Sequence, residues 1–128
     1  EEIPVVIMGG TIPGHTTDAV AIRFAIAANA KKCIIATNVE KVYDEDPRLN
    51  PNAKSHEYLT HLELQKIVGP AEHEKAGQSS VVDPIGVSEA LNAKMELNIL
   101  DGRVTKRIRQ AMEGDDFEGT VVSSEGKI

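Results

Sequence analysis

One stretch decides the fold of this chain: residues 5–36, VVIMGGTIPGHTTDAVAIRFAIAANAKKCIIA. Two short apolar runs, residues 5–8 and 33–36, lie at its ends, and an alanine-rich segment separates them. Short continuous apolar runs are typical of strands that are buried on both faces of a parallel sheet. The broad apolar surface of the segment between them predicts a helix over residues 19–30. The stretch therefore predicts a βαβ unit with a right-handed crossover.

The rest of the chain continues the alternation of helices and strands. Ser79 or Ser80 is expected to cap a helix that has Pro84 in its first turn, where a missing N–H costs little. The predicted elements beyond the first unit are helices over residues 62–68, 81–93 and 105–113, strands over residues 56–59, 97–100 and 119–122, and one short extended piece within residues 37–47. The order predicts an α/β fold without internal repeats.

Length and composition exclude several classes of protein. The chain has 128 residues, enough for one domain or a piece of one, and 41% of them are hydrophobic, enough for a buried core. Its 20 acidic and 14 basic residues give a net charge of −6, the wrong sign for a protein that binds nucleic acid electrostatically. Aromatic residues make up only 3%, so we expect no surface on which bases stack.

Further features of the sequence predict its location and its completeness. No run approaches the roughly 18 apolar residues of a membrane span, and no signal peptide opens the chain, so we expect a cytoplasmic protein. The single Cys33 cannot form an internal disulfide, and its apolar neighbours predict a buried thiol without a catalytic role. The chain opens Glu1-Glu2-Ile3 without an initiator Met, which predicts a fragment or a processed chain.

The loop after the first predicted strand, residues 9–18, has the composition of an anion site. Ligands of open α/β sheets collect at the carboxyl ends of the strands. Glycines let a ligand approach the backbone, while Thr16, Thr17 and the free N–H groups of the next helix form a neutral cradle for a phosphate. A purely structural turn is the alternative. Asp18 either caps the helix, as Thr16 or Thr17 also could, or faces a cation or a metal.

The second loop, residues 37–46, offers groups that suit a nucleoside. The ring of Tyr43 suits an adenine, and a carboxylate of Asp44-Glu45-Asp46 suits the ribose hydroxyls. A calcium loop is the alternative for that acidic run, but Pro47 stands where an EF-hand needs a further ligand or glycine. Three histidines lack the spacing of a zinc site and are expected at the surface: His56, His61 and His73.

Taken together, the loops resemble those of one family. Residues 9–19, GGTIPGHTTDA, and residues 36–47, ATNVEKVYDEDP, are similar in order and spacing to the acceptor and ATP loops of archaeal-type UMP kinases, in the amino acid kinase superfamily. Residues 75–84, KAGQSSVVDP, and the closing Gly119-Thr120 resemble the same family. The resemblance implies a three-layer αβα sandwich with a mainly parallel sheet. It implies that residues 1–128 are a single domain or fragment, the C-terminal nucleotide-binding half of that fold.

The resemblance also implies a reaction and a set of site residues. ATP, with magnesium, phosphorylates UMP to UDP by direct in-line transfer, without a covalent enzyme intermediate. Asp18 matches the family's catalytic aspartate, which orients lysines and acts electrostatically, not as a metal ligand. The family's lysine for the transferring phosphoryl group lies upstream of these residues, so the 128 residues alone are expected to be inactive. The implied UMP-binding residues are Thr11, Ile12, Pro13, Gly14, His15, Thr16 and Thr17, and the implied ATP-binding residues are Thr37, Asn38, Tyr43 and Asp46.

The sequence departs from the family at two places and leaves two competing functions. Glu40-Lys41 stands where Asp-Gly is usual, and Asp44 where a small or hydroxyl residue is common, so donor binding is expected to differ more than the fold. One competitor is a non-catalytic ATP-binding relative, such as a molybdenum or tungsten storage protein. The other is a superfamily kinase for acetylglutamate, carbamate, aspartate or isopentenyl phosphate. The run His15-Thr16-Thr17 favours UMP. The resemblance also implies a homo-oligomer, a hexamer.

Overall fold

The computed structural model describes residues 5, 7, 9–10, 16–45, 47–69 and 81–124. The helices in these ranges are α1 (Thr17–Ala27), α2 (His61–Val68), α3 (Pro84–Ala93) and α4 (Thr105–Glu113). The strands are β1 (Lys32–Thr37), β2 (Val42–Tyr43), β3 (Ser55–His56), β4 (Tyr58–Leu59), β5 (Glu96–Asp101) and β6 (Thr120–Val122). No helix of the described ranges is long and apolar enough to cross a membrane.

The main sheet has four strands in the order β1-β5-β6-β4. β1 and β5 pair in parallel along their full length, from Lys32 opposite Glu96 to Thr37 opposite Asp101. β6 runs antiparallel to β5 and parallel to β4. β2 and β3 form a separate antiparallel pair. Since two of the three pairings in the main sheet are parallel, the predicted α/β fold with a mainly parallel sheet is confirmed.

The core lies between the main sheet and the helices α1, α2 and α3. Alternate residues of each strand face it, as Leu97 and Ile99 of β5 do, and both are completely buried. The helices contribute their own buried side chains: Ile22 and Ala25 of α1, Leu64 of α2, and Val87 and Ala90 of α3. The other face of the sheet contacts α4. The carbonyl of Ala111 in α4 accepts a hydrogen bond from the ammonium of Lys32 in β1. The three layers match the sandwich that the resemblance implies.

Two helix boundaries differ from the predicted ones for local reasons. α1 begins at Thr17, because the hydroxyl of Thr16 accepts the N–H of Ala19, and it ends before Asn29, whose left-handed φ of 54° reverses the chain. α3 begins at Pro84, three residues later than predicted. Its cap is Asp83, whose carboxylate accepts the N–H of Ile85 at 2.8 Å, so the expectation that Ser79 or Ser80 caps this helix is wrong.

Two predicted strands also differ in the structure. The strand predicted over residues 56–59 is divided at Glu57, since β3 pairs with β2 and β4 pairs with β6. The strand predicted over residues 5–8 is not found at Val5 and Ile7, which are 70% and 89% exposed. Val6 and Met8 lie outside the described residues. A strand needs a neighbour for its ladder, and in the described sheet β1 pairs only with β5.

The prediction of surface histidines is wrong for His61. This side chain is only 1% exposed, and its Nε2 lies 2.6 Å from the carbonyl oxygen of Met95. The imidazole is therefore buried next to the residue that precedes β5 and does not face water. His56 is half-buried in β3, and His73 lies outside the described residues.

The topology gathers several helix starts at one edge of the sheet. α1 leads into β1 and α3 leads into β5, so both helices run antiparallel to these parallel strands and begin beside the carboxyl ends of the strands. α4 follows β5 directly and begins at the same edge. The chain therefore places the N–H groups of three helix starts next to the last residues of β1 and β5, Thr37 and Asp101.

Candidate functional site

The first turns of α1 and α3 are joined at this edge by side-chain hydrogen bonds. The hydroxyl of Thr16 donates to Oδ2 of Asp83 across 2.5 Å, and the backbone N–H of Asp83 donates to the carboxylate of Asp18. Glycine makes the approach of the two helices possible, because a Cβ on Gly86 would lie 2.9 Å from Cδ1 of Ile22. The caps of the two helices therefore form one connected unit.

Asp18 is a partly buried carboxylate in the first turn of α1. Burial raises its pKa, the N–H of Asp83 lowers it, and the charge of the Asp83 carboxylate raises it again. Because Thr16 supplies the N-cap, Asp18 does not serve as the cap, which was the structural alternative for this residue. Burying this charged carboxylate costs free energy, and the helix does not need it as a cap. That combination favours a functional role for Asp18.

Two of the implied acceptor residues, Thr16 and Thr17, begin α1. Thr16 has one hydroxyl proton, and this proton is directed at Asp83, so it is not available to a ligand in this conformation. Thr17 is exposed at the start of the helix, beside N–H groups of the first turn. A phosphate at this helix start would meet Thr17 and backbone N–H groups. The other implied acceptor residues, Thr11, Ile12, Pro13, Gly14 and His15, lie outside the described residues.

Thr37 and Asn38 lie where β1 ends, beside the end of β5. The N–H of Gly102 donates to the carbonyl of Thr37 at 2.8 Å. A Cβ on Gly102 would lie only 2.8 Å from Cβ of Ala36, so the close approach of the two loops requires glycine. The contact holds the implied ATP loop against the loop that follows β5.

An ion pair reinforces this contact between the loops. The guanidinium of Arg103 bonds both carboxylate oxygens of Asp101, at 3.0 and 2.9 Å, and also donates to the carbonyl of Asn38 at 3.1 Å. Asp101 is 6% exposed, and its hydrogen bonds from Arg103 lower its pKa to about 2. The carboxylate is therefore charged at every pH at which the protein is expected to work.

Tyr43 belongs to the small β2–β3 sheet, which a buried hydroxyl ties to the main sheet. Oγ1 of Thr120 accepts the N–H of Val42 at 2.9 Å and donates to the carbonyl of His56 at 2.5 Å. Asp44 closes the loop between β2 and β3, since its carboxylate accepts the N–H of Lys54 at 2.8 Å. The carboxylate of Asp44 thus stabilises the loop between β2 and β3.

The substitution of Lys41 for glycine causes no backbone strain. Within the described residues, the non-glycine residues with positive φ are Asn29 and Lys94, so Lys41 is in an ordinary conformation. Its ammonium lies 3.6 Å from the carboxylate of Glu57. Asp46, the last residue of the implied ATP set, lies outside the described residues.

Three residues of the site are not in the set predicted from the loops: Asp83, Arg103 and Thr120. Asp83 had a local signal, because Asp followed by Pro is a common cap and first position of a helix. Thr120 lies in the closing Gly119-Thr120 that resembles the family, but its bond to His56, 64 residues away, had no local signal. The bond from Arg103 to the carbonyl of Asn38, 65 residues away, had none either. Within the described ranges, no three His, Cys, Asp or Glu side chains are grouped so that they could hold a metal ion.

Comparison with known proteins agrees with this architecture. The model of the amino acid kinase family matches residues 1–101. The chain is 43% identical over 122 residues to a uridylate kinase of Pyrococcus abyssi, covering 95% of this chain and 52% of that protein. It is 44% identical over 119 residues to a uridylate kinase of Methanococcus aeolicus, covering 93% and 52%. The chain thus spans about half the length of the curated relatives it matches.

Solved structures give the same result at the level of the fold. The crystal structure of uridylate kinase from Archaeoglobus fulgidus superimposes with a TM-score of 0.75 at 32% identity, covering 91% of this chain and 50% of that one. The UMP kinase of Bacillus anthracis, at 20% identity and a TM-score of 0.68, shares the fold. The family model, the parallel β1–β5 pair and the helix starts at its carboxyl edge lead to one conclusion: the chain belongs to the amino acid kinase family.

Proposed function

We propose that this chain is the C-terminal, nucleotide-binding half of a UMP kinase, which transfers the γ-phosphoryl group of ATP to UMP and releases UDP and ADP. The observation that carries the proposal is that the described parts of both implied loops lie at one edge of the sheet. The first turn of α1, with Thr17 and Asp18, and the end of β1, with Thr37 and Asn38, both lie at the carboxyl ends of the parallel strands. The uridylate kinases with 43% and 44% identity support the choice of acceptor.

The acceptor would bind at the start of α1. Its phosphate would accept hydrogen bonds from the hydroxyl of Thr17 and from N–H groups of the first turn. Residues 11–15 would complete this loop around the nucleotide. Neutral donors of this kind suit a chain with a net charge of −6, because it cannot attract a phosphate through its overall field.

The donor would bind across the ends of β1 and β2. Tyr43 would lie against the adenine, with Asp46 near the base or ribose, and Thr37 and Asn38 would contact the nucleotide from the end of β1. Magnesium would arrive as part of the substrate, magnesium-ATP, coordinated by phosphate oxygens. The carboxyl edge of the sheet would hold donor and acceptor in line, so positioning and charge neutralisation would supply most of the rate.

Asp18 would orient cationic side chains between the two nucleotides. Within the described residues, the charge that acts on its pKa is that of Asp83, another carboxylate. A partly buried carboxylate beside a second one is expected to need a cation from another part of the protein. This need supports the electrostatic role of Asp18 that the resemblance implies.

The direct test measures ADP release by the full-length gene product with magnesium-ATP and one acceptor at a time: UMP, CMP, AMP or acetylglutamate. Release that depends on UMP is the expected result. Release with another acceptor would replace UMP by that substrate. No release with any acceptor, from a protein that still binds ATP, would favour a non-catalytic relative, and bound molybdenum or tungsten would identify a storage protein.

The isolated chain of 128 residues is expected to be inactive in the same assay, because its curated relatives are about twice as long. Turnover by this chain in the usual range of about 1–100 s⁻¹ would contradict that expectation. A cytoplasmic location and a hexameric assembly stay predictions, which fractionation of cells and light scattering would test.

A further inference from the structure

Asp83 makes more hydrogen bonds than a helix cap requires, and the additional ones reach α1. Oδ1 accepts the N–H of Ile85 at 2.8 Å, which is the capping bond of α3. Oδ2 accepts the hydroxyl of Thr16 at 2.5 Å, and the backbone N–H of Asp83 donates to Asp18. One residue thus bonds both the cap of α1 and the carboxylate that is the implied catalytic group.

Packing keeps Asp83 next to α1. A Cβ on Gly86, one turn into α3, would lie 3.3 Å from the Cα of Ala19 in the first turn of α1. An ion pair joins the helices further along, since a guanidinium nitrogen of Arg23 lies 2.5 Å from a carboxylate oxygen of Glu89. Because the helices contact at both places, Asp83 at the start of α3 stays next to the first turn of α1.

We propose that Asp83 is a positioning residue of the acceptor site: through Thr16 and Asp18 it holds the first turn of α1 in the place that phosphoryl transfer requires. The inference rests on the proposed function and deepens it. It assigns different roles to the hydroxyls of Thr16 and Thr17. Thr16 connects the two helices, and Thr17, with the helix N–H groups, is left to bind the acceptor phosphate.

The alternative is that Asp83 only caps α3, and the chain offers a matched control for it. Thr60 caps α2 through its hydroxyl, which accepts the N–H of Glu63 at 3.1 Å. Thr60 follows β4, which runs antiparallel to β5, so this cap lies at the opposite edge of the sheet. Loss of either cap destabilises a helix, but only loss of the Asp83 side chain would disturb α1.

The experiment compares D83A, D83N and T60A in the full-length gene product with magnesium-ATP and UMP. D83A is expected to lower kcat at least tenfold and to raise the KM for UMP severalfold, with the KM for ATP within twofold of wild type. T60A is expected to leave all three constants within twofold. D83N keeps a capping oxygen and an amide that can bond Thr16, so it is expected to retain most of the turnover.

The pH dependence of kcat in D83N is a second measurement, and it would not change if Asp83 only capped α3. Within the residues that the structure describes, the titratable groups that face Asp18 from the neighbouring elements are the Asp83 carboxylate of α3 and the Cys33 thiol of β1. Removing the negative charge of Asp83 lowers the pKa of Asp18, so the acid limb of the kcat profile is expected to move to lower pH. An unchanged acid limb, or a D83A enzyme with the constants of T60A, would overturn the inference.

Hydrogen exchange separates this inference from the proposed function. If the wild-type protein phosphorylates none of the acceptors, the proposed function fails, but the role of Asp83 can still be measured. The amides of Ala19 and Val20, which bond the side chain and carbonyl of Thr16, are expected to exchange at least tenfold faster in D83A and at the wild-type rate in T60A. Equal rates in the two variants would show that Asp83 does not hold α1.

Discussion

The hydroxyl of Thr120 accepts the backbone N–H of Val42 across 2.9 Å and so ties the small sheet that carries Tyr43 to the first residue of β6. Thr120 and Val42 are both completely buried. The same hydroxyl donates to the carbonyl of His56, so one side chain makes two hydrogen bonds between the sheets. The two bonds give Tyr43, for which we propose an adenine contact, a fixed position beside the main sheet.

We expect T120V to destabilise the protein by about 1–3 kcal/mol, because valine keeps the volume but leaves the buried N–H of Val42 and the half-buried carbonyl of His56 without the hydroxyl. In the active full-length protein the KM for ATP is expected to rise more than the KM for UMP. T120S keeps the hydroxyl and should restore both properties. Urea unfolding and initial rates measure the effects. Thr105 is exposed at the start of α4, so T105V is the control, and equal effects of T105V and T120V would contradict the assignment.

Arg103 should make the stability of the protein depend on pH below about pH 4. The guanidinium lowers the pKa of Asp101 to about 2, so the carboxylate stabilises the fold above its unfolded pKa, and that contribution is lost as the pH falls through the folded value. R103A should therefore be less stable than wild type at pH 5, and the difference should shrink towards pH 2. R109A, which removes an exposed guanidinium from α4, is the control. A constant difference between pH 5 and pH 2 would show that Arg103 does not act through Asp101.

D18N is expected to separate activity from stability. The pKa of Asp18 is raised, so the native state binds a proton more tightly than the unfolded state, and the charged side chain costs stability once the pH exceeds the folded pKa. The neutral amide removes that cost, so the melting temperature at pH 7 should equal or exceed that of wild type. Turnover should fall strongly while the affinity for UMP stays within a fewfold. Equal turnover in D18N and wild type would remove Asp18 from the mechanism.

Cys33 should be unreactive in the native protein. It is 7% exposed in β1, and burial, with the nearby charge of Asp18, raises the pKa of its thiol to about 11. Little thiolate exists at pH 8, and little of the sulfur is accessible. A thiol reagent at pH 8 should label the protein only after denaturant is added. Rapid labelling of the native chain would contradict the burial of β1 against the core.

Local patterns were sufficient for much of the fold. The apolar run at residues 33–36 predicted β1 within one residue at each end, and α4 has the predicted bounds, Thr105–Glu113. Both signals depend on periodicity and on neighbours a few positions away. The family resemblance rested on two loops of about twelve residues, and the match of the family model to residues 1–101 confirms it.

Contacts distant in sequence decided the rest. His61 is buried because Met95, 34 residues later, offers its carbonyl, and the strand predicted over residues 56–59 is divided because its two halves find partners in different sheets. The link from Asp83 to Thr16 spans 67 residues. The sequence by itself determined the approximate positions of the four helices and of β1, β5 and β6, since propensity and periodicity act within a few residues. Only the tertiary structure decided which side chains meet at the site, because hydrogen-bond partners are chosen by packing between elements that no local pattern relates.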